Sequence, residues 1–284
     1  MHGAGNDFVV VDRRALPALA GAGEEALAAF VRGACDRRHG VGGDGVLFLD
    51  AAAETDPSAG LDFRMRYFNR DGGRADLCGN GGRCLAAFAA AKGLGRDGRL
   101  VFASDAGRHE ARVDGDRVEL VLGDVAAPSL DRRLDTPGGE VTAGVVTVGV
   151  PHLVVEVPDI DAIDLEAFAP PLRAHTDLGP AGANVDVATV AGPDRVRLRT
   201  FERGVEGETL ACGTGAAATA IVLVARGRVK APVTLAVASG DELRVWFERI
   251  GDAFRAVTLA GPVATSFEGT YFWTNPGDSP RPGP

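Results

Sequence analysis

The sequence predicts an α+β fold of two similar lobes, each rich in strands and each with a central helix. The first observation behind this prediction is an internal repeat, because residues 63–70 and 196–203 both alternate apolar and charged side chains, as half-buried strands do. The second is that each run leads into a Cys-Gly-x-Gly tetrapeptide, at residues 78–81 and 212–215. The third is size, since 284 residues with 45% hydrophobic content suit two domains.

The remaining elements follow in the same order in both copies. After each Cys-Gly-x-Gly comes an alanine-rich helix that ends at a glycine, and then two strands. The predicted helices are 83–92 and 216–226, and the predicted strands are 101–104 and 118–123 in the first copy and 234–237 and 256–261 in the second. Outside the repeat, the sequence predicts an amphipathic helix at 24–34 and two strands, 144–150 and 153–157, on either side of a Pro-His pair. A shared series of this length indicates duplication of one unit.

The lobes are predicted to comprise residues 1–124 and 125–262. The boundary is placed within residues 125–139, which contain Pro128, Pro137 and paired glycines. Residues 263–275 are predicted to return to the N-terminal lobe as a strand, and residues 276–284 to form a disordered tail.

Composition excludes several classes of function. The net charge of −9 and the two lysines, Lys92 and Lys230, leave no basic surface for nucleic acid or anionic lipid. No run approaches the roughly 18 apolar residues of a membrane span, and the N-terminus lacks the form of a secretory signal. Four cysteines do not make a disulfide scaffold, so we expect a cytoplasmic protein with free thiols.

The sequence also predicts that no metal or cofactor takes part. No cysteine or histidine pair has the spacing of a zinc site, and neither lysine lies in a context for a pyridoxal phosphate Schiff base. The glycine-rich run 40–45 follows a helix rather than opening one, which argues against a dinucleotide-binding loop.

The duplicated Cys-Gly-x-Gly carries the predicted chemistry. A cysteine at a helix N-terminus has a lowered pKa and lies beside backbone N–H groups that bind a carboxylate. A single such cysteine is more often a buried small residue, and Cys35 and Cys84 are predicted to be only that. A matched pair, Cys78 and Cys212, indicates that one group removes a Cα proton and the other returns a proton to the opposite face. The pattern therefore predicts inversion of a stereocentre beside a carboxylate of the substrate.

These residues resemble the diaminopimelate epimerase family closely and in family order across nearly the whole chain. The stretches that carry the resemblance are 1–8, 40–45, 67–69 with 71–72, 78–84, 151–152, Asn184, 202–204 and 207–215. The resemblance implies two lobes, each a curled and mostly antiparallel sheet around its central helix, with the active site in the cleft between them. It implies interconversion of LL- and meso-diaminopimelate without pyridoxal phosphate, a step toward lysine and peptidoglycan, and a homodimer.

The resemblance also assigns roles to individual residues. Cys78 and Cys212 are the acid/base pair, and the backbone N–H groups of four residues hold the reacting carboxylate: Gly79, Asn80, Gly213 and Thr214. Five further residues match positions that bind the ammonium groups and the distal carboxylate: Asn6, Asn69, Asn184, Glu202 and Arg203. His152 is an additional candidate, which a packed turn histidine would explain equally well.

Two other functions stay open at this point. One is a two-thiol racemase of another amino acid, such as histidine, glutamate or a proline derivative. The other is a non-catalytic relative that uses the fold for binding. Many family members have Asn where this chain has Val150 and Gln where it has Gly45, and both differences remove amide contacts to the substrate. The near equivalence of the two motifs leaves open which thiol serves which enantiomer.

Overall fold

In a computed structural model of the chain, residues 1–52 and 60–273 are described. The chain forms two compact units. Unit 1 comprises Met1–Val118 together with the described residues from Val263 onward, and unit 2 comprises Glu119–Pro262. The tail predicted at residues 276–284 lies outside the described residues. Both units are α+β, as the sequence predicts, with mixed and mostly antiparallel strand pairing.

Unit 1 surrounds a helix with strands. Its strands are β1 His2–Gly3, β2 Asn6–Asp12, β3 Gly45–Asp50, β4 Phe63–Asn69, β5 Arg74–Ala75, β6 Arg99–Ser104 and β7 Gly107–Asp114, and its helices are α1 Pro17–Ala20, α2 Glu24–Cys35 and α3 Gly79–Ala91. The glycines and alanines of α3 let strands β1 to β4 and β7 approach it closely, and most of its residues are buried. Helix α2 is amphipathic and packs Leu27, Phe30 and Val31 against Phe48 and Phe68 of the sheet.

The described C-terminal residues pack on the outer side of α2. The ring of Tyr271 lies 6.0 Å and that of Trp273 lies 5.4 Å from the ring of Phe30, centroid to centroid. Just after Pro262, His2 and Ala264 exchange backbone hydrogen bonds in an isolated antiparallel bridge. Both contacts join the end of the chain to unit 1.

Strand β8, Arg117–Val125, contains the division between the units. Unit 2 continues with β9 Ser129–Thr136, β10 Gly139–Val148, β11 Val150–Glu156, β12 Asn184–Val190, β13 Arg195–Glu202, β14 Gly207–Thr209, β15 Val233–Ala236, β16 Glu242–Ile250 and β17 Ala253–Pro262, with helices α4 Leu165–Arg173 and α5 Gly213–Ala225. Helix α5 is buried along nearly its whole length and contacts strands β10 to β13, β16 and β17. Helix α4 covers the opposite side of β12 and β13, over an apolar cluster centred on Leu165 and Leu172.

The strand pairings repeat between the units. In unit 1, β2 is parallel to β3, β3 antiparallel to β4, and β4 antiparallel to β5 but parallel to β6. In unit 2, β11 is parallel to β12, β12 antiparallel to β13, and β13 antiparallel to β14 but parallel to β15. Helices α3 and α5 occupy the same place in each series. The duplication predicted from the sequence is thus present, and it begins two strands earlier than the sequence comparison reached.

Several predicted elements differ from those observed, and residues 263–273, the described part of the predicted C-terminal strand, contain an isolated bridge at Ala264 instead of a strand. Both central helices begin directly after the cysteine, α3 at Gly79 and α5 at Gly213, because burial of the glycine-rich turn outweighs its low helix propensity. His152 lies inside strand β11 instead of in a turn, because the pairing of β11 with β12 begins at His152 and so needs no N–H group from Pro151. Strand β9 occupies much of the stretch in which prolines suggested a boundary, and it pairs with β10.

Candidate active site

Cys212 is the N-cap residue of α5 and has an extended backbone conformation. Its side chain is 7% exposed, accepts a hydrogen bond from the Gly215 N–H at 3.4 Å and lies 3.5 Å from Thr214 Oγ1. Burial raises the pKa of this thiol well above its ordinary value, and the carboxylates of Glu202 and Asp186 raise it further. The prediction that the helix N-terminus lowers this pKa is therefore wrong for Cys212, because desolvation outweighs the helix dipole. Cys212 is a thiol in this structure, the form that donates a proton.

Cys78 is the N-cap residue of α3 and is half-buried. Its carbonyl accepts a hydrogen bond from the Gly82 N–H at 2.7 Å, which fixes the first turn of the helix. Each cysteine thus stands at the N-terminus of the central helix of its own unit, at equivalent positions of the repeat. The backbone N–H groups that follow lie in the first helical turn, where they have no intrahelical partners and suit an anion.

Two predicted binding residues lie beside Cys212. Asn184 opens strand β12, and its Nδ2 lies 4.0 Å from the Cys212 sulfur while its Oδ1 accepts from the Arg203 N–H at 2.9 Å. Glu202 closes strand β13 and accepts a hydrogen bond from Thr209 Oγ1 at 2.6 Å. Burial raises the pKa of Glu202, and the Thr209 hydrogen bond acts in the opposite direction. The structure therefore brings Asn184, Glu202 and the backbone of Arg203 together around one thiol.

His152 reaches the same thiol from strand β11. Its Nδ1 lies 2.7 Å from Asp186 Oδ2 and its Nε2 lies 3.0 Å from Thr214 Oγ1. The other carboxylate oxygen of Asp186 accepts from Thr200 Oγ1 at 2.7 Å. His152 and Asp186 are both fully buried. A packed turn histidine does not describe this residue, which belongs to a hydrogen-bonded chain that ends at Cys212.

In unit 1, two predicted residues meet at the N-terminus of α3. Asn80 Nδ2 donates to Asn6 Oδ1 at 2.5 Å, and Asn80 Oδ1 accepts from the guanidinium of Arg83 at 2.9 Å. Asn6 Nδ2 in turn donates to Asp44 Oδ2 at 3.3 Å. The carboxamides of Asn6 and Asn80 are thus oriented by a buried cation on one side and a carboxylate on the other.

Asn69 lies at the end of β4, the position that corresponds to Glu202 in the repeat. Its Oδ1 accepts from Tyr67 Oη at 2.7 Å. Gly45 pairs with Asn69 across the sheet, and a Cβ added to Gly45 would lie 2.5 Å from the Phe68 carbonyl oxygen and 2.7 Å from a ring carbon of Tyr67. This backbone has no room for the glutamine side chain that many family members carry there.

Sequence reasoning missed the residues that orient the site. They are Asp186, Thr200 and Thr209 around Cys212, and Asp44 and Arg83 around Asn80. The available signal was a single aspartate in the otherwise apolar run 185–188, because a fully buried carboxylate must have partners.

The two other cysteines are core residues, as predicted. Burial raises the pKa of Cys35 to about 11 and that of Cys84 to about 12. None of the four cysteines, all of which lie in the described part of the chain, forms a disulfide bond. Within residues 1–52 and 60–273, no group of three histidine, cysteine or carboxylate side chains is arranged to hold a metal ion. No helix in the same part of the chain is long and apolar enough to cross a membrane.

Comparison with known proteins gives consistent matches. A family model described as diaminopimelate epimerase matches residues 1–127 and 144–262. Proteins named diaminopimelate epimerase from Gemmatimonas aurantiaca and Methanocella arvoryzae are 39% and 38% identical, over 95% of this chain and 91% and 94% of their own lengths.

Solved structures share the fold at low sequence identity. A phenazine biosynthesis protein of the PhzF family from Bacillus anthracis has a TM-score of 0.64 at 16% identity, covering 92% of each chain. A hydroxyproline epimerase from Agrobacterium vitis has a TM-score of 0.60 at 20% identity, covering 82% of this chain and 77% of its own. These likenesses show a common two-lobe fold.

Proposed function

We propose that this chain, which belongs to the diaminopimelate epimerase family, interconverts LL- and meso-diaminopimelate without pyridoxal phosphate. The observation that carries the proposal is the pair of cysteines, Cys78 and Cys212, that cap equivalent helices of a duplicated fold. Inversion at carbon needs two proton-transfer groups of the same kind in opposite protonation states, and a duplicated unit supplies them.

In the proposed mechanism, Cys212 enters one direction of the reaction as the acid. Its raised pKa keeps it protonated, so Cys78 acts as the thiolate base that removes the Cα proton. Cys212 then donates its proton to the opposite face of the carbon. In the reverse direction the two thiols exchange roles, which microscopic reversibility requires.

The substrate carboxylate gains enolate-like charge as the proton leaves. We assign its binding to the backbone N–H groups of the first helical turns: Gly79 and Asn80 in unit 1, and Gly213 and Thr214 in unit 2. Fixed N–H dipoles at helix N-termini stabilise charge that develops in the transition state.

The rest of the substrate needs groups for ammonium and for a second carboxylate. Glu202 provides a carboxylate for an ammonium group, and Arg203 provides a guanidinium for the distal carboxylate. The carboxamides of Asn6, Asn69 and Asn184 supply further donors and acceptors. On the same family basis we assign the enzyme to the lysine and peptidoglycan precursor pathway, as a cytoplasmic homodimer.

The test is incubation of the reduced protein with LL-diaminopimelate in D2O, without added cofactor, while stereochemistry and Cα deuterium are followed together. We expect epimerisation with deuterium uptake, and loss of epimerisation in both Cys78→Ala and Cys212→Ala. Cys35→Ala is the matched control, because this core thiol lies outside the site and its removal should leave turnover intact.

Failure of freshly reduced wild-type protein to exchange deuterium would reject this substrate. The same assay with histidine, glutamate and proline derivatives would then test a two-thiol racemase of another specificity. Full activity in either cysteine variant would reject the two-thiol mechanism itself.

A further inference from the structure

A cluster of polar side chains, three of them buried and Thr214 half-buried, lies behind Cys212, and we call it the relay cluster: His152, Asp186, Thr200 and Thr214. Hydrogen bonds join its members in a line. Thr200 Oγ1 lies 2.7 Å from Asp186 Oδ1, Asp186 Oδ2 lies 2.7 Å from His152 Nδ1, and His152 Nε2 lies 3.0 Å from Thr214 Oγ1. The line ends at Cys212, whose sulfur lies 3.5 Å from Thr214 Oγ1.

The internal repeat shows that the fold does not require this cluster. Asp186 pairs with Thr200 across β12 and β13, and the corresponding pair across β3 and β4 is Leu47 with Tyr67. His152, which pairs with Asn184, corresponds in the same way to Phe8, which pairs with Gly45.

The glycines in the first turns of α3 and α5 support this correspondence between the two units. A Cβ on Gly81 would meet Leu47 and Phe8, whereas a Cβ on Gly215 would meet Asp186. Leu47 and Phe8 therefore lie behind the first turn of α3, at the positions that Asp186 and His152 occupy behind Cys212. Burying such groups costs free energy unless they are paired, so their presence behind one thiol needs a reason.

The geometry fixes the tautomer of His152. The carboxylate of Asp186 only accepts hydrogen bonds, and Thr200 already donates to one of its oxygens, so Nδ1 carries the proton that the other oxygen accepts. The lone pair of Nε2 then faces the hydroxyl of Thr214. A hydroxyl both donates and accepts, so Thr214 joins the ring nitrogen to the sulfur.

This line of hydrogen bonds has two protonation states. In the first, the Cys212 thiol donates to Thr214 Oγ1, and the Thr214 hydroxyl donates to the neutral His152 Nε2. In the second, the proton of Sγ has passed to Oγ1 and the hydroxyl proton to Nε2, which leaves a thiolate and an imidazolium. The Thr214 hydroxyl carries one proton in both states, Sγ loses one and Nε2 gains one, and both hydrogen bonds reverse direction.

We propose that Asp186 is a positioning residue for the epimerisation, which holds His152 for proton exchange with Cys212 through Thr214 and stabilises the imidazolium form. The proposal rests on the proposed function, since it explains how Cys212 becomes the base in one direction of the reaction. The thiolate form of Cys212 is disfavoured on its own, because the sulfur is buried and faces two carboxylates, Glu202 on β13 and Asp186 on β12. A proton accepted by His152 supplies the positive charge that a thiolate at this position needs.

The charge of Asp186 has two opposite effects, and the variant Asp186→Asn separates them. By direct repulsion the carboxylate disfavours a Cys212 thiolate, so its removal would make the thiolate form at lower pH. Through His152, the Asp186 carboxylate favours the Cys212 thiolate. Removal of the carboxylate would then shift ionisation of Cys212 to higher pH. The sign of the shift decides between a merely neighbouring charge and a positioning residue.

The experiment is a titration of thiolate absorbance in Cys78→Ser protein without substrate, with and without Asp186→Asn. Both proteins also carry Cys35→Ala and Cys84→Ala, because burial raises the pKa of all three remaining thiols, and the thiolate signal then belongs to Cys212. We expect Asp186→Asn to move thiolate formation upward by about one pH unit, a tenfold change in the equilibrium. A downward shift or no shift overturns the proposal.

Three further proteins keep the test decisive. Thr219→Val is the matched control, because Thr219 is a buried polar residue of α5 outside the relay cluster, and it should leave the titration unchanged. In His152→Gln protein, Asp186→Asn should shift the thiolate downward, because only the direct repulsion is left. If Asp186→Asn does not fold, Thr200→Val should give a smaller upward shift in a protein that keeps the carboxylate.

Turnover adds a readout that distinguishes this inference from the proposed function. Asp186→Asn should lower kcat with diaminopimelate about tenfold and change KM little, because Asp186 is not assigned to substrate. Absence of turnover in wild-type protein would reject the proposed substrate. The thiolate titration needs no substrate, so its result would still confirm or overturn the role given to Asp186.

Discussion

The carboxyl group of Glu202 is held by a short hydrogen bond, donated by Thr209 Oγ1 at 2.6 Å. Burial raises the pKa of Glu202, and this hydrogen bond lowers it, since a donor stabilises the ionised form. If the ionised form binds the substrate ammonium, activity is lost as pH falls through this raised pKa. We therefore predict that Thr209→Val moves the acidic limb of the pH profile of kcat/KM to higher pH, and that Thr209→Ser, which keeps the hydroxyl, does not.

The contribution of Glu202 to the acidic limb must be separated from those of other groups in this experiment. Glu202→Gln serves that purpose, because it abolishes the carboxyl titration while the relay cluster stays in place. We expect Thr209→Val to have no effect on the remaining acidic limb in a Glu202→Gln background. An unchanged limb in Thr209→Val alone would show that Glu202 does not set the pH dependence.

Individual site residues were predictable to very different degrees. Cys78 and Cys212 stand out from the sequence because a repeated Cys-Gly-x-Gly has a direct chemical meaning. Asp186 does not, because a single aspartate between valines has no partner until strand register places Thr200 opposite it and His152 on the next strand. Hydrogen bonds between residues far apart in sequence depend on the register of the strands that carry them. The pattern of residue types in the sequence does not determine that register.

At the scale of elements, the first turns of α3 and α5 have the same backbone and different surroundings. A Cβ on Gly215 would overlap Asp186 Oδ1, whereas a Cβ on Gly81 would lie 2.9 Å from the terminal Cδ2 of Leu47. A leucine methyl group can move aside, but the carboxylate is held by two hydrogen bonds. We predict that Gly215→Ala lowers kcat/KM about tenfold or more, with an overpacking cost of about 1–3 kcal/mol.

Gly81→Ala is the matched control at the equivalent position of the repeat. Alanine favours a helix over glycine by about 1 kcal/mol, which offsets part of the crowding against Leu47. We expect this variant to keep most of its stability in urea unfolding and to lose less activity than Gly215→Ala. Equal losses in the two variants would contradict the special role given to the contact with Asp186.

The elements themselves were predictable where periodicity was strong. Helix α2 and the strands β4 and β13 lie within a residue or two of their predicted bounds, because amphipathic patterns report burial directly. The starts of α3 and α5 were missed because glycine is a poor helix former in isolation. Tertiary packing against small residues, which the sequence pattern does not report, decides where these helices begin.

At the scale of the whole molecule, the duplication explains both the order of the fold and its chemical asymmetry. The two units repeat one series of strand pairings around a buried helix. The repeat provides two thiols in like positions, and the side chains behind them differ, with Asp186 and His152 at the positions of Leu47 and Phe8. The two units share one backbone arrangement, but the side chains around their cysteines differ. An enzyme in which one thiol accepts a proton and the other donates one needs this combination.

Because of its buried thiols, the protein is expected to lose stability at alkaline pH. Cys84 is fully buried in α3, and its folded-state pKa of about 12 lies above the ordinary value of 9.0. A raised thiol pKa favours the protonated form in the folded state, whereas the unfolded chain releases the proton near the ordinary value. Stability is therefore unaffected at neutral pH and is lost as pH rises above 9.0, by about 1.4 kcal/mol per pH unit for this group.

We predict that Cys84→Ala is less stable than wild type at neutral pH, because it leaves a small cavity, and that the difference narrows above the ordinary thiol pKa. Leu85→Ala is the matched control, since Leu85 is equally buried in α3 and does not titrate. Its deficit in urea unfolding should stay constant across the same pH range, while that of Cys84→Ala shrinks by about 1.4 kcal/mol over the first unit. Parallel curves for the two variants would mean that the Cys84 thiol ionises as readily in the folded protein as in the unfolded chain.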